Sequence, residues 1–512
     1  MIKKLLYSLF MLPLMVSAQN IIVLHADQGK DVISRHIYGH FAEHLGRCIY
    51  DGIYVGEGNK AIPNTNGVRN DVVEALKKLK VPNLRWPGGC FADAYHWKDG
   101  IGPVKDRPAV INRWWGGTVE NNSFGTHEFL DLCEKIGAEP YLAGNVGSGT
   151  VQELSDWVDY VNIEPNKGPM GILRVKNGHE KPWNVRYWGV GNESWGCGGN
   201  MKPEYYATQF RQYATFMSDW TNSNKIFRVA SGANGDDVNW TEVMMREVPN
   251  HLMEGLSLHH YSVINWSAKG SATQFDEAVY FKTLQQTWKT DDIVARHSAI
   301  MDKYDPAKKI ALVVDEWGGW YEVEPGTNPG FLYQQNTMRD AMIAGLSLNI
   351  FNNHCDRVKM ANLAQVVNVL QAVVLTEKEK MILTPTYHVM EMYKVHQDAT
   401  LLPVTVASSD YVVGNEKLPA ISVSASKSKD GGTFISLVNI DAKRSQELSI
   451  DIKGAKYYTV KGRILSSGKL QDCNTFDEPL KIKPTTYSGA KLAGDKLTLT
   501  LPAFSVVVLE LK

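Results

Sequence analysis

The sequence predicts an α/β fold in which a (β/α)8 TIM barrel is followed by a C-terminal antiparallel β-sandwich. From about residue 37 to 390, short apolar runs alternate with amphipathic stretches, as in repeated β–α units around a parallel sheet. After about Tyr387 the pattern changes to alternating apolar and polar residues between Gly, Ser, Asn and Asp, which is typical of antiparallel strands.

The barrel is predicted from eight apolar runs with helical segments between them. The predicted strands are residues 37–45, 81–89, 139–146, 185–193, 227–233, 255–261, 309–317 and 358–365. The predicted helices include residues 70–79, 126–136, 203–220 and 332–346. Eight strands separated by helices favour a closed barrel, whose chemistry lies on the loops at the carboxyl ends of the strands.

The sandwich is predicted from period-two strands at residues 420–426, 433–439, 448–452, 496–501 and 505–511. Residues 21–26 are also strand-like but precede the barrel, so we expect them to join the same sandwich. We therefore divide the chain into a signal peptide (1–18), an N-terminal strand of the sandwich (19–36), the catalytic barrel (37–386) and the sandwich (387–512). No Pro- or Gly-rich linker separates the two domains, which predicts rigid packing.

The amino terminus has the three parts of a secretory signal. Lys3 and Lys4 precede an apolar run from Leu5 to Val16, and the small residues Ser17-Ala18 follow it. We expect cleavage after Ala18 and a periplasmic or secreted protein. A buried N-terminal helix is the alternative. The run is too short to span a membrane comfortably and no other stretch approaches the required length, so membrane insertion is not expected.

Composition narrows the class of partner. Lys and Arg number 54 against 55 Asp and Glu, so no excess positive charge is available to bind nucleic acid. The 14 Trp and 22 Tyr suit sugar recognition, because flat rings stack on the apolar faces of sugars, although core packing also uses them. The six cysteines show neither a C-x-x-C pair nor metal-ligand spacing, and a chain this large does not need disulfides. We expect mostly free, buried thiols.

Two glutamates follow predicted strands that face each other across the barrel mouth. Glu193 ends the fourth strand and Glu316 ends the seventh. Glycoside hydrolysis needs such a pair, because one carboxyl group protonates the leaving oxygen while the other attacks the anomeric carbon. Retention needs a separation of about 5–5.5 Å and inversion about 6.5–9.5 Å, and the sequence leaves both open.

Neighbouring residues suit the same chemistry. Asn192 can offer its amide to the sugar hydroxyl beside the reacting carbon, and Tyr261 can donate a hydrogen bond to the nucleophile. Each also has a structural interpretation: a strand-end Glu pairs with Arg in ordinary networks, Asn192 can cap a turn, and Tyr261 can be core. Two glutamates at facing strand ends favour the catalytic interpretation.

A metal site is the alternative that the sequence offers at the same end of the barrel. His259, His260, His354 and Asp356 are suitable ligand types. Adjacent residues on a strand point to opposite faces, so His259 and His260 cannot both enter one site. We therefore expect a site without metal or cofactor. Gly88-Gly89 has neither P-loop nor dinucleotide spacing.

Several strings resemble family 51 of the glycoside hydrolases over nearly the whole chain. They are YGHFAEH (38–44), RWPGGCF (85–91), WGVGNE (188–193), DEW (315–317), DRVK (356–359) followed by Ala364-Gln365, FDEP (476–479) and LPAFS (501–505). The family consists chiefly of α-L-arabinofuranosidases, which are retaining, exo-acting and usually oligomeric, built on a barrel plus a β-sandwich.

The resemblance implies Glu193 as acid/base and Glu316 as nucleophile. It implies that arabinose is bound by Glu43, Cys90, Asn192, Tyr261 and Gln365. Many members have asparagine where this chain has Cys90, and a thiol donates only a weak hydrogen bond. Trp195 and Trp114-Trp115 are candidates for stacking on the aglycone.

The implied substrate is an arabinose-containing polysaccharide or oligosaccharide of the plant cell wall, and the implied assembly is a homo-oligomer. Three other functions remain open on the sequence. The first is the same retaining machinery with another specificity, such as a β-xylosidase or an endo-glucanase. The second is a metal-dependent barrel hydrolase using His259 and Asp356, and the third is a glycan-capture protein that binds without cleaving.

Overall fold

The computed structural model describes residues 20–220 and 225–512, so the predicted signal peptide lies outside the described residues. The described chain forms a closed barrel of parallel strands and a two-sheet sandwich, as predicted. No helix in residues 20–220 and 225–512 is long and apolar enough to cross a membrane.

Eight parallel strands close the barrel, each paired with the next along the chain and the eighth paired with the first. They are Gly39–Phe41, Asn83–Trp86, Glu139–Gly144, Tyr187–Val190, Phe227–Asn234, Gly255–Ser262, Ala311–Gly319 and Val358–Ala364. Every one overlaps a predicted strand. The fourth strand ends before its predicted bound, so that Glu193 lies on the loop that follows it.

Nine α-helices occur among the described residues: Asn70–Leu79, Thr126–Ile136, Val151–Asn162, Gly168–Lys176, Pro203–Phe216, Val238–Glu247, Glu277–Tyr304, Met338–Asn353 and Pro385–Tyr393. The first two have the predicted bounds. The helix predicted from residue 332 begins instead at Met338, because Thr337 forms a capping box with Asp340 there and Leu332 has a left-handed backbone with φ of 48°.

Two sheets form the sandwich. The five-stranded sheet is ordered Val404–Ala407, Asn20–His25, Gln446–Lys453, Lys496–Leu501 and Lys491–Ala493. The six-stranded sheet is ordered Thr400–Leu402, Ile421–Lys427, Thr433–Asn439, Ser505–Leu511, Val460–Leu465 and Thr485–Tyr487. The N-terminal strand joins the sandwich as expected, but it runs parallel to Gln446–Lys453, so one pair departs from the antiparallel pattern.

The helix Met338–Asn353 lies between barrel and sandwich and is buried along almost its whole length. Asn349 Nδ2 donates to Ser422 Oγ at 3.1 Å, and Asn353 Nδ2 donates to the Val423 carbonyl at 3.0 Å. A Cβ at Gly345 would lie 2.9 Å from a methyl group of Val438, so a side chain there would separate the two domains. The barrel therefore packs directly against the six-stranded sheet through this helix.

Candidate active site

A pocket opens at the carboxyl ends of the barrel strands. All seven predicted site residues line it, together with seven others. The fourteen are Phe41, Glu43, Leu45, Gly89, Cys90, Trp115, Asn192, Glu193, Tyr261, Glu316, Trp320, Leu332, Gln365 and Leu370. The loops after five different strands therefore converge on one small cavity.

Glu193 and Glu316 face each other in this pocket. One carboxylate oxygen of Glu193 lies within 4.8 Å of one of Glu316. This is close to the separation of about 5–5.5 Å found in retaining glycosidases and well below the 6.5–9.5 Å that leaves room for a water in inverting enzymes. The sequence left this distance open.

Glu316, the predicted nucleophile, accepts hydrogen bonds from two side chains and lies beside the imidazole of His259. Arg85 Nη1 donates to its Oε1 at 3.0 Å, and Tyr261 OH donates to its Oε2 at 2.6 Å. His259 Nδ1 lies 3.5 Å from Oε2. Burial disfavours the charged form, but the charges of His259 and Arg85 and these hydrogen bonds outweigh burial and hold the pKa of Glu316 below its usual value. Glu316 is therefore kept ionised.

Arg85 is a buried cation with an acidic partner on the same strand as Glu316. Its Nε lies 3.6 Å from Asp315 Oδ2, and its Nη2 donates to Asn192 Oδ1. Asp315 in turn accepts hydrogen bonds from Tyr141 OH at 2.8 Å and Asn362 Nδ2 at 2.7 Å. A buried ion pair needs such additional hydrogen bonds to offset its desolvation. The network orients Glu316 and Asn192 together.

Glu193 stands on an unusual turn. Its φ is 40°, a left-handed conformation that is uncommon for a residue other than glycine. Asp93 holds the turn: its Oδ2 accepts the Asn192 N–H at 2.7 Å, and its Oδ1 accepts the Val146 and Gly147 N–H groups at 2.8 Å each. Asp93 was not among the predicted residues, and nothing in its local sequence distinguishes it from other loop aspartates.

His259 lies between the two glutamates, with its Nδ1 2.9 Å from Glu193 Oε1. Burial lowers its pKa, but the charge of Glu316 and the hydrogen bond to Glu193 raise the pKa of His259 above its usual value overall. The sequence prediction considered this residue only as a metal ligand.

The other three residues of the alternative metal set lie elsewhere. His260 contacts the Gln286 carbonyl at 3.0 Å, as expected for the opposite face of the strand. His354 pairs with Asp291 at 2.7 Å, and Asp356 pairs with Lys308. Asp356 also precedes the eighth strand, at the opposite end of the barrel from His259. The proposed four-residue metal site is therefore not assembled.

Glu43 and Gln365 line the pocket and are hydrogen-bonded to each other. Glu43 Oε1 accepts from the Gly89 and Phe91 N–H groups and from Trp115 Nε1, while Oε2 accepts from Gln365 Nε2 at 2.8 Å. Burial and the charge of Glu316 raise the pKa of Glu43 to about 7. Gln365 Oε1 is buried without a hydrogen-bond partner among the described residues, so it can accept a hydrogen bond from a hydroxyl group of a ligand.

Cys90 and Cys197 form a disulfide that borders the pocket. The expectation of mostly free, buried thiols fits Cys48, Cys133 and Cys355, and Cys473 is free but partly buried; the disulfide pair itself was not predicted. The two cysteines are 107 positions apart and meet because the loops after the second and fourth strands converge. Cys90 therefore presents a disulfide sulfur, which has no hydrogen to donate, in place of the predicted thiol.

The aromatic residues of the mouth differ from those expected. Trp115 lines the pocket, whereas the indole of Trp195 donates to the Gly232 carbonyl at 3.1 Å. Trp320, four residues beyond Glu316, also lines the pocket and packs against Tyr261 with ring centroids 5.1 Å apart. Trp266 extends this cluster and is 57% exposed. Trp320 and Trp266 were missed because isolated loop tryptophans carry no periodic signal.

Comparison with known proteins gives consistent matches. Models of an "Alpha-L-arabinofuranosidase C-terminal domain" and an "Alpha-L-arabinofuranosidase 1 domain" match residues 315–505 and 75–279. The chain is 54% identical, over 96% of its length and 95% of the relative, to an "Intracellular exo-alpha-L-arabinofuranosidase" of Bacteroides ovatus.

Solved structures agree with these matches. The GH51 arabinofuranosidase of Xanthomonas axonopodis pv. citri has a TM-score of 0.95 at 49% identity, covering 96% of this chain and all of that one. The arabinose complex of the Thermotoga maritima α-L-arabinofuranosidase has a TM-score of 0.84 at 32% identity, covering 96% and 99% of the two chains.

One sequence prediction is contradicted by these matches. The Bacteroides ovatus relative, which spans nearly the whole chain, is named intracellular, and this overturns the prediction of an exported periplasmic or secreted protein. A charged, apolar and small-residue N-terminus is a pattern of composition, and it does not by itself establish export.

Proposed function

Because the chain belongs to the α-L-arabinofuranosidases of glycoside hydrolase family 51, we propose that it is a retaining, exo-acting enzyme that releases terminal arabinofuranose from arabinan, arabinoxylan or arabino-oligosaccharides. The observation that carries the mechanism is the approach of a Glu193 oxygen to within 4.8 Å of a Glu316 oxygen. A small pocket, rather than an open cleft, supports release of a single terminal sugar.

In the first step, a carboxylate oxygen of Glu316 bonds to C1 of the arabinofuranose while Glu193 gives its proton to the departing oxygen. The products are a glycosyl ester on Glu316 and the free aglycone alcohol. In the second step, Glu193 takes a proton from water, and the water oxygen replaces Glu316 at C1. Two inversions restore the original configuration.

The proposed sugar contacts follow from the donors and acceptors that remain free. Asn192 Oδ1 is occupied by Arg85, so its Nδ2 is available to the hydroxyl beside C1, where a hydrogen bond strengthens as positive charge develops. Gln365 Oε1 has no partner among the described residues, and Glu43 Oε2, which accepts only from Gln365 Nε2, can accept a second hydrogen bond from a sugar hydroxyl. Tyr261 orients Glu316, and Cys90 contributes van der Waals contact through its sulfur.

Chemical rescue tests the two carboxylates. Glu193→Ala should retain the first step on an aryl arabinoside with a good leaving group, and added azide should restore turnover and yield an arabinosyl azide of retained configuration. Glu316→Ala should instead give the azide of inverted configuration. Glu247→Ala, at an exposed glutamate, is the matched control. Absence of both rescue and a trapped glycosyl-enzyme in Glu193→Ala would refute its acid/base role.

The rival functions predict different measurements. A panel of nitrophenyl glycosides separates an arabinofuranosidase from a β-xylosidase, and product analysis on linear and branched arabinan and on glucans separates exo from endo action. Full activity after exhaustive chelation would exclude the metal-dependent hydrolase. Release of arabinose from arabinan would exclude a protein that only captures glycans.

We also propose a homo-oligomer, on the strength of the family resemblance. Light scattering coupled to size-exclusion chromatography tests this assembly. A monomer across micromolar concentrations would contradict it.

A further inference from the structure

The disulfide at the edge of the pocket touches the proposed acid/base residue. Cys197 Sγ lies 3.6 Å from Glu193 Oε2, and both sulfurs and a Glu193 carboxylate oxygen lie within 4.8 Å of one another. All three residues are partly buried, and Cys90 and Glu193 line the cavity. Two sulfurs and a carboxylate are ligand types that zinc prefers, but they cannot bind a cation while the sulfurs are joined.

We propose that reduction of the Cys90–Cys197 disulfide creates a binding site for a thiophilic divalent cation such as Zn²⁺, held by both thiolates and the Glu193 carboxylate. The proposed hydrolytic reaction uses Glu193 but no cation. Occupation of the site would therefore remove Glu193 from catalysis.

The distances fit tetrahedral zinc. With Zn–S bonds of about 2.3 Å and Zn–O bonds of about 2.1 Å, a sulfur and an oxygen ligand lie about 3.6 Å apart. Cys197 Sγ and Glu193 Oε2 already have this separation. Two sulfur ligands need about 3.8 Å between them. The Cα atoms of the two cysteines are 5.5 Å apart, so side-chain rotation after reduction can supply this opening without moving the backbone.

The surroundings would orient these ligands. His259 Nδ1 lies 2.9 Å from Glu193 Oε1, which leaves Oε2 facing the sulfurs. Asn192 Nδ2 lies 3.9 Å from Cys197 Sγ and can donate to a thiolate. Outer hydrogen bonds of this kind fix ligands and raise affinity. Three protein ligands leave the fourth position open to water from the pocket.

The chemistry balances with a cellular dithiol as reductant. The dithiol supplies two electrons and two protons to the Cys90–Cys197 bond and is itself oxidised to a disulfide. The cation then displaces the thiol protons, because thiolate is the form that binds metal. Reducing compartments keep such cysteine pairs in the dithiol form. The Bacteroides ovatus relative is named intracellular. The loss of hydrolysis rests on the proposed role of Glu193, but the metal binding does not.

Cobalt provides the test, since Co²⁺ substitutes for Zn²⁺ and reports thiolate ligands by a near-ultraviolet charge-transfer band. Wild-type enzyme is reduced with a phosphine, desalted anaerobically and checked for six thiols instead of four after denaturation. Reduced enzyme should bind one Co²⁺ with this band and with the intense visible bands of a tetrahedral site, and oxidised enzyme should show neither. Zn²⁺ should erase the bands and the activity at the same occupancy, and a chelator should restore activity.

Variants assign the ligands. Cys197→Ser and Cys90→Ser should each lose the charge-transfer signal of the pair, whereas Cys473→Ser, at a partly exposed free thiol of the sandwich, should keep it. The proposal is overturned if native protein never yields six thiols, if reduced wild type shows no such bands, or if Cys197→Ser binds Co²⁺ unchanged. Glu193→Gln should weaken Co²⁺ binding, and unweakened binding in this variant would overturn the proposal. Weakened binding in Glu193→Gln together with full activity of the zinc-loaded wild type would uphold the site and refute the acid/base assignment of Glu193.

Discussion

Asp93→Asn tests whether the turn beneath Glu193 sets the efficiency of this residue in its proposed role as an acid. The Asp93 carboxyl group is buried and accepts N–H groups from Val146, Gly147 and Asn192. Asparagine has the same shape but only one acceptor oxygen. If that oxygen still accepts the Val146 and Gly147 N–H groups, the new amide NH2 lies next to the Asn192 N–H. Two donors then face each other and the Asn192 N–H has no acceptor.

The magnitude follows from this lost hydrogen bond. A buried donor left unsatisfied costs about 1–3 kcal/mol, so we expect a loss of that size in the free energy of unfolding. The hydrogen bond of the Asn192 N–H also fixes the backbone directly before Glu193. Glu193 itself has a φ of 40°. A misplacement of about 1 Å at a reacting group costs about 100-fold in rate. We expect kcat on substrates with poor leaving groups to fall about 10- to 100-fold.

Leaving-group dependence separates this role from simple destabilisation. Kinetics on aryl arabinofuranosides of graded leaving-group pKa should show a steeper dependence in Asp93→Asn, because activated aglycones depart without protonation. Asp441→Asn is a matched control: this buried sandwich aspartate accepts the Lys443 and Arg444 N–H groups at 3.0 and 2.9 Å. The control should lose stability but keep the wild-type dependence. An equal loss on every leaving group would refute the role of Asp93 through Glu193.

Two further substitutions probe the proposed nucleophile, Glu316, and the sandwich. Tyr261→Phe removes the 2.6 Å donor to Glu316, which helps to keep the pKa of that carboxyl group below its usual value. The pKa should rise, and the acid limb of kcat/KM, where the nucleophile becomes protonated, should move to higher pH; an unmoved limb would contradict the contact. Ile22→Ala empties a fully buried position in the strand Asn20–His25. Urea unfolding should show a loss of about 2–5 kcal/mol with kcat unchanged in the folded enzyme, and unaltered stability would argue against this strand's place in the sheet.

The barrel was predictable because a parallel strand covered on both faces must be a continuous apolar run. The strand Ala311–Gly319, which begins with the apolar run before Glu316 and is buried throughout, is an example of such a strand. The helix Glu277–Tyr304 was not identified, because its packed face contains polar residues that interrupt the apolar period. Thr287 forms a hydrogen bond with Ser262 and His297 forms one with Thr241, and both partners lie on other elements. Such partners are invisible in a local pattern.

Local pattern and residue type therefore determined the barrel, the sandwich, the approximate positions of the eight barrel strands and the presence of a glutamate near the carboxyl ends of the fourth and seventh strands. Tertiary structure alone decided how those residues are set: the separation of Glu193 and Glu316, the place of His259 between them, the Asp93 turn and the Cys90–Cys197 disulfide. The reason is physical. Apolar periodicity reflects burial, which acts along each segment, whereas hydrogen bonds, charges and the disulfide join loops that are distant in sequence and depend on how the barrel closes.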